Sequence, residues 1–129
     1  MNYKMITIDV DDTLLNDAAE VTPGTIEALR AAVDRGVIVT LATGRMFASA
    51  KQIAKRIELN VPLITYQGSL VKNLLDEEVL YERYIPVEVG ALLFEYAVKH
   101  GIHLQGYFND ELISPEENQY LIDYAKLSR

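Results

Sequence analysis

Three carboxylates lie within four positions near the start of the chain, directly after an apolar run. Residues 6–8 form strand easily, and Asp9, Asp11 and Asp12 follow them. Ligands of open parallel sheets bind at the carboxyl ends of the strands, and an extended backbone would send Asp9 and Asp11 to the same side. Two such carboxylates repel each other unless a cation lies between them or one holds a proton. Oxygen ligands suit Mg²⁺, and a carboxylate beside that metal can attack phosphorus.

A second polar group, Thr43-Gly44-Arg45, follows the apolar run 37–42. Hydroxyl and backbone N–H donors at a strand tip, above a helix N-terminus, can hold a phosphate. Thr43 can donate through its hydroxyl, and Gly44 lets the backbone approach closely. Arg45 can pair with a substrate anion or bind an acid of the protein itself.

The elements that position these residues alternate between strand and helix. Thr22 is a typical N-cap and Pro23 suits the first helical position, so a helix is predicted over 23–35 with Ile26, Leu29 and Val33 facing inward. Such β–helix–β units predict a parallel sheet with right-handed crossovers. The remaining predictions in this part are strands over 4–10, 37–42 and 62–66 and a helix over 46–57 that buries Ala50, Ile53, Ala54 and Ile57.

After residue 66 the pattern changes. Segments 70–74 and 79–84 predict an antiparallel hairpin, and a helix is predicted from Pro86 to about His100. Ser114, Pro115 and Glu117 form a capping-box pattern that predicts a last helix. We therefore expect two domains, 1–85 and 86–129. The other predictions are inward-facing Val89, Leu92, Leu93, Tyr96, Tyr120, Leu121 and Tyr124, and strands over 102–108 and 111–113.

Composition excludes several classes of function. The 129 residues are 50% hydrophobic, and 12 Lys and Arg against 19 Asp and Glu give a net charge of −7. This balance argues against nucleic acid or an anionic membrane as a partner. There is no cysteine, which excludes disulfides and a thiol nucleophile. The first residues lack a signal-peptide pattern and no apolar run is long enough to span a membrane, so we expect a cytoplasmic protein.

The segment Asp9-Val10-Asp11-Asp12-Thr13-Leu14-Leu15 resembles the first motif of the haloacid dehalogenase-like (HAD) phosphohydrolases, in particular their Cof-type branch with a large cap domain. Leu41-Ala42-Thr43-Gly44-Arg45 resembles the second motif. The resemblance implies an α/β fold with a Rossmann-like parallel core, here incomplete, followed by the start of an α+β cap. It implies Asp9 as the nucleophile, Asp11 as the general acid/base, Thr43 as a ligand of the phosphoryl group, and Mg²⁺ held by Asp9 and Asp11. The implied substrate is a small phosphorylated metabolite.

Two motifs of that family have no match in the chain. They are a lysine and an acidic Gly-Asp strand tip, and Lys99 and Lys126 fall on predicted cap helices instead. Two hypotheses follow: a Mg²⁺-dependent phosphomonoester hydrolase present whole or in part, or a truncated, inactive fragment that acts as a binding or assembly piece. The missing half would also leave one edge of strand one bare, which favours a homodimer that covers this edge, segment swapping or a longer gene product.

Two other α/β classes lack their required residues. A phospho-receiver domain needs an Asp at the tip of strand three, where this chain has Thr65-Tyr66-Gln67. A dinucleotide-binding fold needs a glycine-rich turn after strand one, and Asp11-Asp12-Thr13 does not provide it.

Overall fold

The computed structural model describes residues 3–127, and the chain divides after Glu82 into two compact units. The division lies close to the predicted boundary after residue 85. The first unit contains β1 (Met5–Ile8), α1 (Pro23–Asp34), β2 (Ile38–Leu41), α2 (Phe47–Arg56), β3 (Leu63–Thr65), β4 (Leu70–Lys72) and β5 (Val79–Glu82). The second contains α3 (Val87–His100), β6 (Gly106–Phe108), β7 (Glu111–Ile113) and α4 (Gln119–Leu127).

Strands β1 and β2 pair in parallel, and the candidate site lies at their carboxyl ends. Met5 lies opposite Ile38 and Ile8 opposite Leu41. A single parallel bridge from Ala42 to Ile64 continues the order to β3, which pairs with β4 in an antiparallel arrangement, as β4 does with β5. The predicted hairpin is therefore confirmed. Among the described residues β1 pairs with β2 alone, so its other edge is open.

The main core lies where α2 packs on the sheet. Ala50, Ile53, Ala54 and Ile57 are all buried, as predicted from their helical spacing. Phe47, at the start of the same helix, is also buried. This packing fixes the N-terminal end of α2 directly after the Thr43-Gly44-Arg45 loop.

Helix α1 begins as its sequence predicts. The Thr22 hydroxyl accepts a hydrogen bond from the Thr25 backbone N–H at 3.2 Å, and Pro23 takes the first position. The inward face was predicted less well. Ile26 and Leu29 are half-buried against the core, but Val33 is 48% exposed. The amphipathic stripe of α1 is longer than the surface that covers it.

Helix α3 has the predicted extent, and Gly101 ends it in the left-handed conformation at φ 63°. The prediction that its apolar face is buried is wrong. Val89, Leu92, Leu93 and Tyr96 are between 45 and 65% exposed, and Ala97 is the buried residue of the helix. Periodicity identifies an apolar face, but it does not tell whether another element covers that face.

The last helix starts later than predicted, at Gln119. The Ser114 hydroxyl donates to the Leu104 carbonyl, and within residues 3–127 it accepts no hydrogen bond from a helix N–H. The Asn118 side chain accepts from the Leu121 N–H at 3.1 Å instead. Asn118 is thus the cap, one residue before α4. Tyr120, predicted to face inward, is 72% exposed, whereas Leu121 and Tyr124 are half-buried. The strand predicted over 102–108 is confirmed only as β6.

None of the helices in the described range 3–127 has both the length and the apolar character needed to cross a bilayer.

Candidate active site

The acidic residues lie in a tight turn that begins directly after β1. Asp9 and Asp11 have extended backbones, whereas Asp12 adopts the left-handed conformation at φ 57°. The turn is closed by hydrogen bonds from the Leu14 N–H to the Asp9 carbonyl at 3.2 Å and from the next N–H to Val10. Val10 and Leu14 are buried and anchor the turn, while the three carboxylates are exposed. These two apolar residues, one between the acids and one after them, therefore decide where the acids lie.

Thr43 lies at the end of the neighbouring strand. The Ala42 N–H donates to the Ile8 carbonyl at 2.9 Å, which ties the ends of β1 and β2 together. Thr43 is only 5% exposed, and its hydroxyl oxygen accepts the Arg45 backbone N–H at 3.1 Å. The hydroxyl oxygen accepts that bond and keeps its own proton, which it can donate to another acceptor.

An ion pair joins the two strand ends. The Arg45 guanidinium donates to the Asp11 carboxylate from Nη2 at 2.7 Å and from Nε at 3.0 and 3.2 Å. A further bond runs from Arg45 Nη1 to the Ser49 hydroxyl at 3.0 Å. The Arg45 side chain is only 13% exposed, against 55% for Asp11. Of the two roles that the sequence left open for Arg45, the structure shows the bond to an acid of the protein.

This pair changes the chemistry of Asp11. Hydrogen bonding from Arg45 holds the pKa of the Asp11 carboxyl below its usual range, against the opposing effect of burial. An ionised Asp11 can accept a proton but has none to give. It can act as a general acid only after the contact with Arg45 has been broken.

Asp9 has a different environment. Its carboxylate is exposed, and its side-chain hydrogen bond is a long one, 3.5 Å from the Thr13 hydroxyl. No group of three or more His, Cys, Asp or Glu side chains in the described part of the chain could hold a metal ion. Asp9 is therefore the predicted metal ligand that is available for coordination, whereas the Asp11 carboxylate is engaged by Arg45.

Two neighbours of this site were missed in the sequence. Ser49 lies in the first turn of α2, the helix that follows the loop of Arg45, and this place was the signal that could have identified it. Gln67 follows β3, and its amide lies so close to Gly44 that a Cβ atom on this glycine would be 2.3 Å from Gln67 Nε2. In the sequence, the position of Gln67 at the tip of the third strand was the signal that pointed to this residue.

Comparison with known proteins identifies the family. The model of the haloacid dehalogenase-like hydrolases matches residues 6–128. The chain belongs to this family, as the two motifs indicated.

The proteins that resemble this chain include phosphatases. The chain is 29% identical over 116 residues to the 5-amino-6-(5-phospho-D-ribitylamino)uracil phosphatase YwtE of Bacillus subtilis, covering 90% of this chain and 40% of that protein. A crystal structure of a haloacid dehalogenase-like hydrolase from Bacteroides thetaiotaomicron superposes with a TM-score of 0.87 at 27% identity, over 98% of this chain and 49% of that one. The HAD subclass IIB sugar phosphatase BT4131 gives a TM-score of 0.77 at 25% identity, over 93% and 46%. The α/β fold class and the relationship to the Cof-like branch are thus confirmed, and the chain spans less than half the length of these relatives.

Proposed function

We propose that this chain supplies the nucleophile and part of the phosphate site of a Mg²⁺-dependent phosphomonoester hydrolase that acts on a small phosphorylated metabolite. The observation that carries the proposal is the parallel pairing of β1 with β2, which brings the turn of Asp9 and the loop of Thr43 to the same edge of the sheet. The phosphatase relatives, among them a sugar phosphatase, support a phosphorylated small molecule as the substrate class. A cytoplasmic location stays part of this proposal.

The proposed roles divide the reaction between two carboxylates. A carboxylate oxygen of Asp9 attacks phosphorus, the bond to the leaving oxygen breaks, and an aspartyl-phosphate forms. Asp11 gives its proton to the leaving alkoxide, then takes a proton from the water that hydrolyses the intermediate. Phosphate leaves and Asp9 is regenerated. The Thr43 hydroxyl donates to a phosphoryl oxygen throughout.

Arg45 controls when Asp11 can act in this scheme. Arg45 favours the ionised form of Asp11. When the anionic substrate competes for the guanidinium, that effect is lost and Asp11 takes up a proton. Arg45 can then pair with the substrate while the protonated Asp11 faces the leaving oxygen. One side chain would thereby couple substrate binding to the protonation state of the acid.

Of the two carboxylates expected to hold Mg²⁺, one is available as a ligand. Asp9 offers an exposed carboxylate, a ligand that Mg²⁺ accepts. Bound Mg²⁺ would supply positive charge beside the transferred phosphoryl group. The Asp11 carboxylate would join Asp9 as a ligand only on leaving Arg45, so Asp9 is the residue that we expect to hold the ion.

The test is hydrolysis of an aryl phosphate with added Mg²⁺, followed by phosphate release. We expect Asp9→Asn to abolish turnover and Thr43→Val to reduce it strongly. Asp12→Asn is the matched control because it removes an acid of the same turn, and asparagine tolerates the left-handed backbone of this position. A rate for Asp9→Asn equal to that of an active parent chain would refute the proposal.

The second candidate is a fragment that keeps the fold but not the turnover. The open edge of β1 and the exposed apolar face of α3 favour it, since such surfaces are common at interfaces. Equal inactivity of the parent chain, Asp9→Asn and Asp12→Asn would support this candidate.

A further inference from the structure

The tip of β3 is tied to the loop that follows β2. Within this contact the Thr43 N–H donates to the Ile64 carbonyl at 3.0 Å, and the Thr43 carbonyl accepts the Gln67 N–H at 3.2 Å. A third bond runs from the Tyr66 N–H to the Arg45 carbonyl at 3.1 Å. Gln67 is therefore held in a fixed position relative to Thr43, the proposed phosphate ligand.

The backbone of this tip is strained. Tyr66 and Gln67 are consecutive non-glycine residues in the left-handed region, at φ 51° and 57°. Such conformations persist when the surroundings enforce them, and they concentrate at functional sites. Here the enforced conformation carries the Gln67 side chain toward Gly44.

The Gln67 amide occupies the space that a side chain at position 44 would need. A Cβ on Gly44 would lie 2.3 Å from Gln67 Nε2 and 3.0 Å from its Cδ. Gln67 is exposed, and no residue in the range 3–127 forms a hydrogen bond with its side-chain amide. Two N–H donors thus lie without an acceptor at the rim of the site, beside Thr43.

We propose that Gln67 is a substrate-binding residue whose amide donates to an oxygen of the phosphate group held by Thr43. The inference rests on the proposed function and adds a ligand from a third strand. A neutral amide adds hydrogen bonds without adding charge, so it would orient the phosphoryl group, whereas Arg45 would neutralise it. Gly44 is then required because any larger residue would displace the amide.

Phosphate binding tests this proposal without depending on turnover. Inorganic phosphate is titrated into the full chain with Mg²⁺, and amide NMR shifts give the dissociation constant. We expect Gln67→Ala to weaken binding about tenfold, the value of a hydrogen bond to a charged group. Gln67→Glu should weaken it more because it adds a negative charge, and Gln67→Asn should retain part of the affinity. Gln52→Ala, an exposed glutamine of α2, is the matched control and should bind as the parent chain does.

Gly44→Ala distinguishes a direct contact from a general structural effect. If the glycine serves to admit the amide, Gly44→Ala should weaken binding as much as Gln67→Ala, and the double variant should lose no more than either. Additive losses would overturn the inference, and urea unfolding of each variant checks that the fold is kept.

The outcomes separate the inference from the proposed function. If Thr43→Val weakens binding and Gln67→Ala does not, the inference is overturned and the proposed function stands. If neither variant changes the dissociation constant, or if the parent chain binds no phosphate, both are overturned.

Discussion

The ion pair between Arg45 and Asp11 allows a quantitative test of the site. The perturbation is a double-mutant cycle with Arg45→Met, Asp11→Asn and the combination of both. A cycle is needed because Arg45 also bonds Ser49, and it removes that contribution from the coupling energy. Exposed ion pairs contribute about 0.2–1 kcal/mol. The forked contact and the buried guanidinium favour the upper end, but solvent screens the 55% exposed Asp11, so we expect about 1 kcal/mol at pH 7.

The pH dependence of this coupling has a definite sign. The pKa of Asp11 is lower in the folded protein than its ordinary value of 3.8. The stabilisation is therefore complete above pH 3.8 and is lost as the pH falls through the lower folded value. Urea unfolding at pH 7, 5 and 3 should give equal coupling at the first two and less at the third. In an active preparation, Arg45→Met should raise the pKa of Asp11 and move the limb of the pH–rate profile that this group controls to higher pH.

A second pair provides the control for this cycle. Arg30 and Glu58 also meet at 2.7 Å, but their side chains are 53% and 66% exposed. We expect their coupling to stay under about 0.5 kcal/mol. The reasoning is refuted if the coupling of Arg45 and Asp11 at pH 7 is no larger than that of the control, or if it does not change at pH 3.

Three further predictions concern other parts of the chain. Thr22→Ala should destabilise the protein by about 1 kcal/mol in urea unfolding through loss of the cap, and Thr22→Ser should not. Lys51 and Lys72 lower the pKa of Glu77 to about 2. Glu77→Gln should therefore lower the free energy of unfolding above pH 4.5, and the difference from the parent chain should fade toward pH 2. A difference that does not depend on pH would contradict this. The open edge of β1 should make the chain self-associate in sedimentation experiments, and Ile6→Lys should reduce this association. A parent chain that is monomeric at all concentrations would contradict the homodimer prediction.

Local signals allowed the first unit to be predicted well. The N-cap at Thr22 and the inward spacing of α2 each depend on a few neighbouring residues, and both predictions hold. The order of the elements then fixed which strand ends meet. A predicted parallel pairing of the first two strands implies that their carboxyl ends lie side by side, and the pairing of β1 with β2 places the loops of Asp9 and Thr43 there.

Two of the remaining differences arise from groups that are distant in the sequence. Ser114 has a good capping pattern, yet its hydroxyl bonds the carbonyl of Leu104, ten residues earlier in the chain. The close approach of Gln67 to Gly44 likewise depends on the tertiary arrangement of three strand ends. Propensity is a local quantity, and it fails where distant groups compete for the same donor or the same space.

The charges of the site argue that phosphate binding needs cations beyond those in the described residues. Asp9, Asp11 and Asp12 lie at the tip of β1, and Arg45 is paired with Asp11. A phosphate dianion entering this site meets repulsion of about 3 kcal/mol for each pair of unit charges, at roughly 5 Å and an effective dielectric constant of roughly 20. Lys51 and Lys72 cannot offset it while both are paired with Glu77. Mg²⁺ beside Asp9 would reverse this balance, and so would the lysine that the family supplies after its cap. The electrostatics of the site thus indicate that a bound phosphate would need a cation beside it, such as Mg²⁺ held by Asp9, in addition to Arg45.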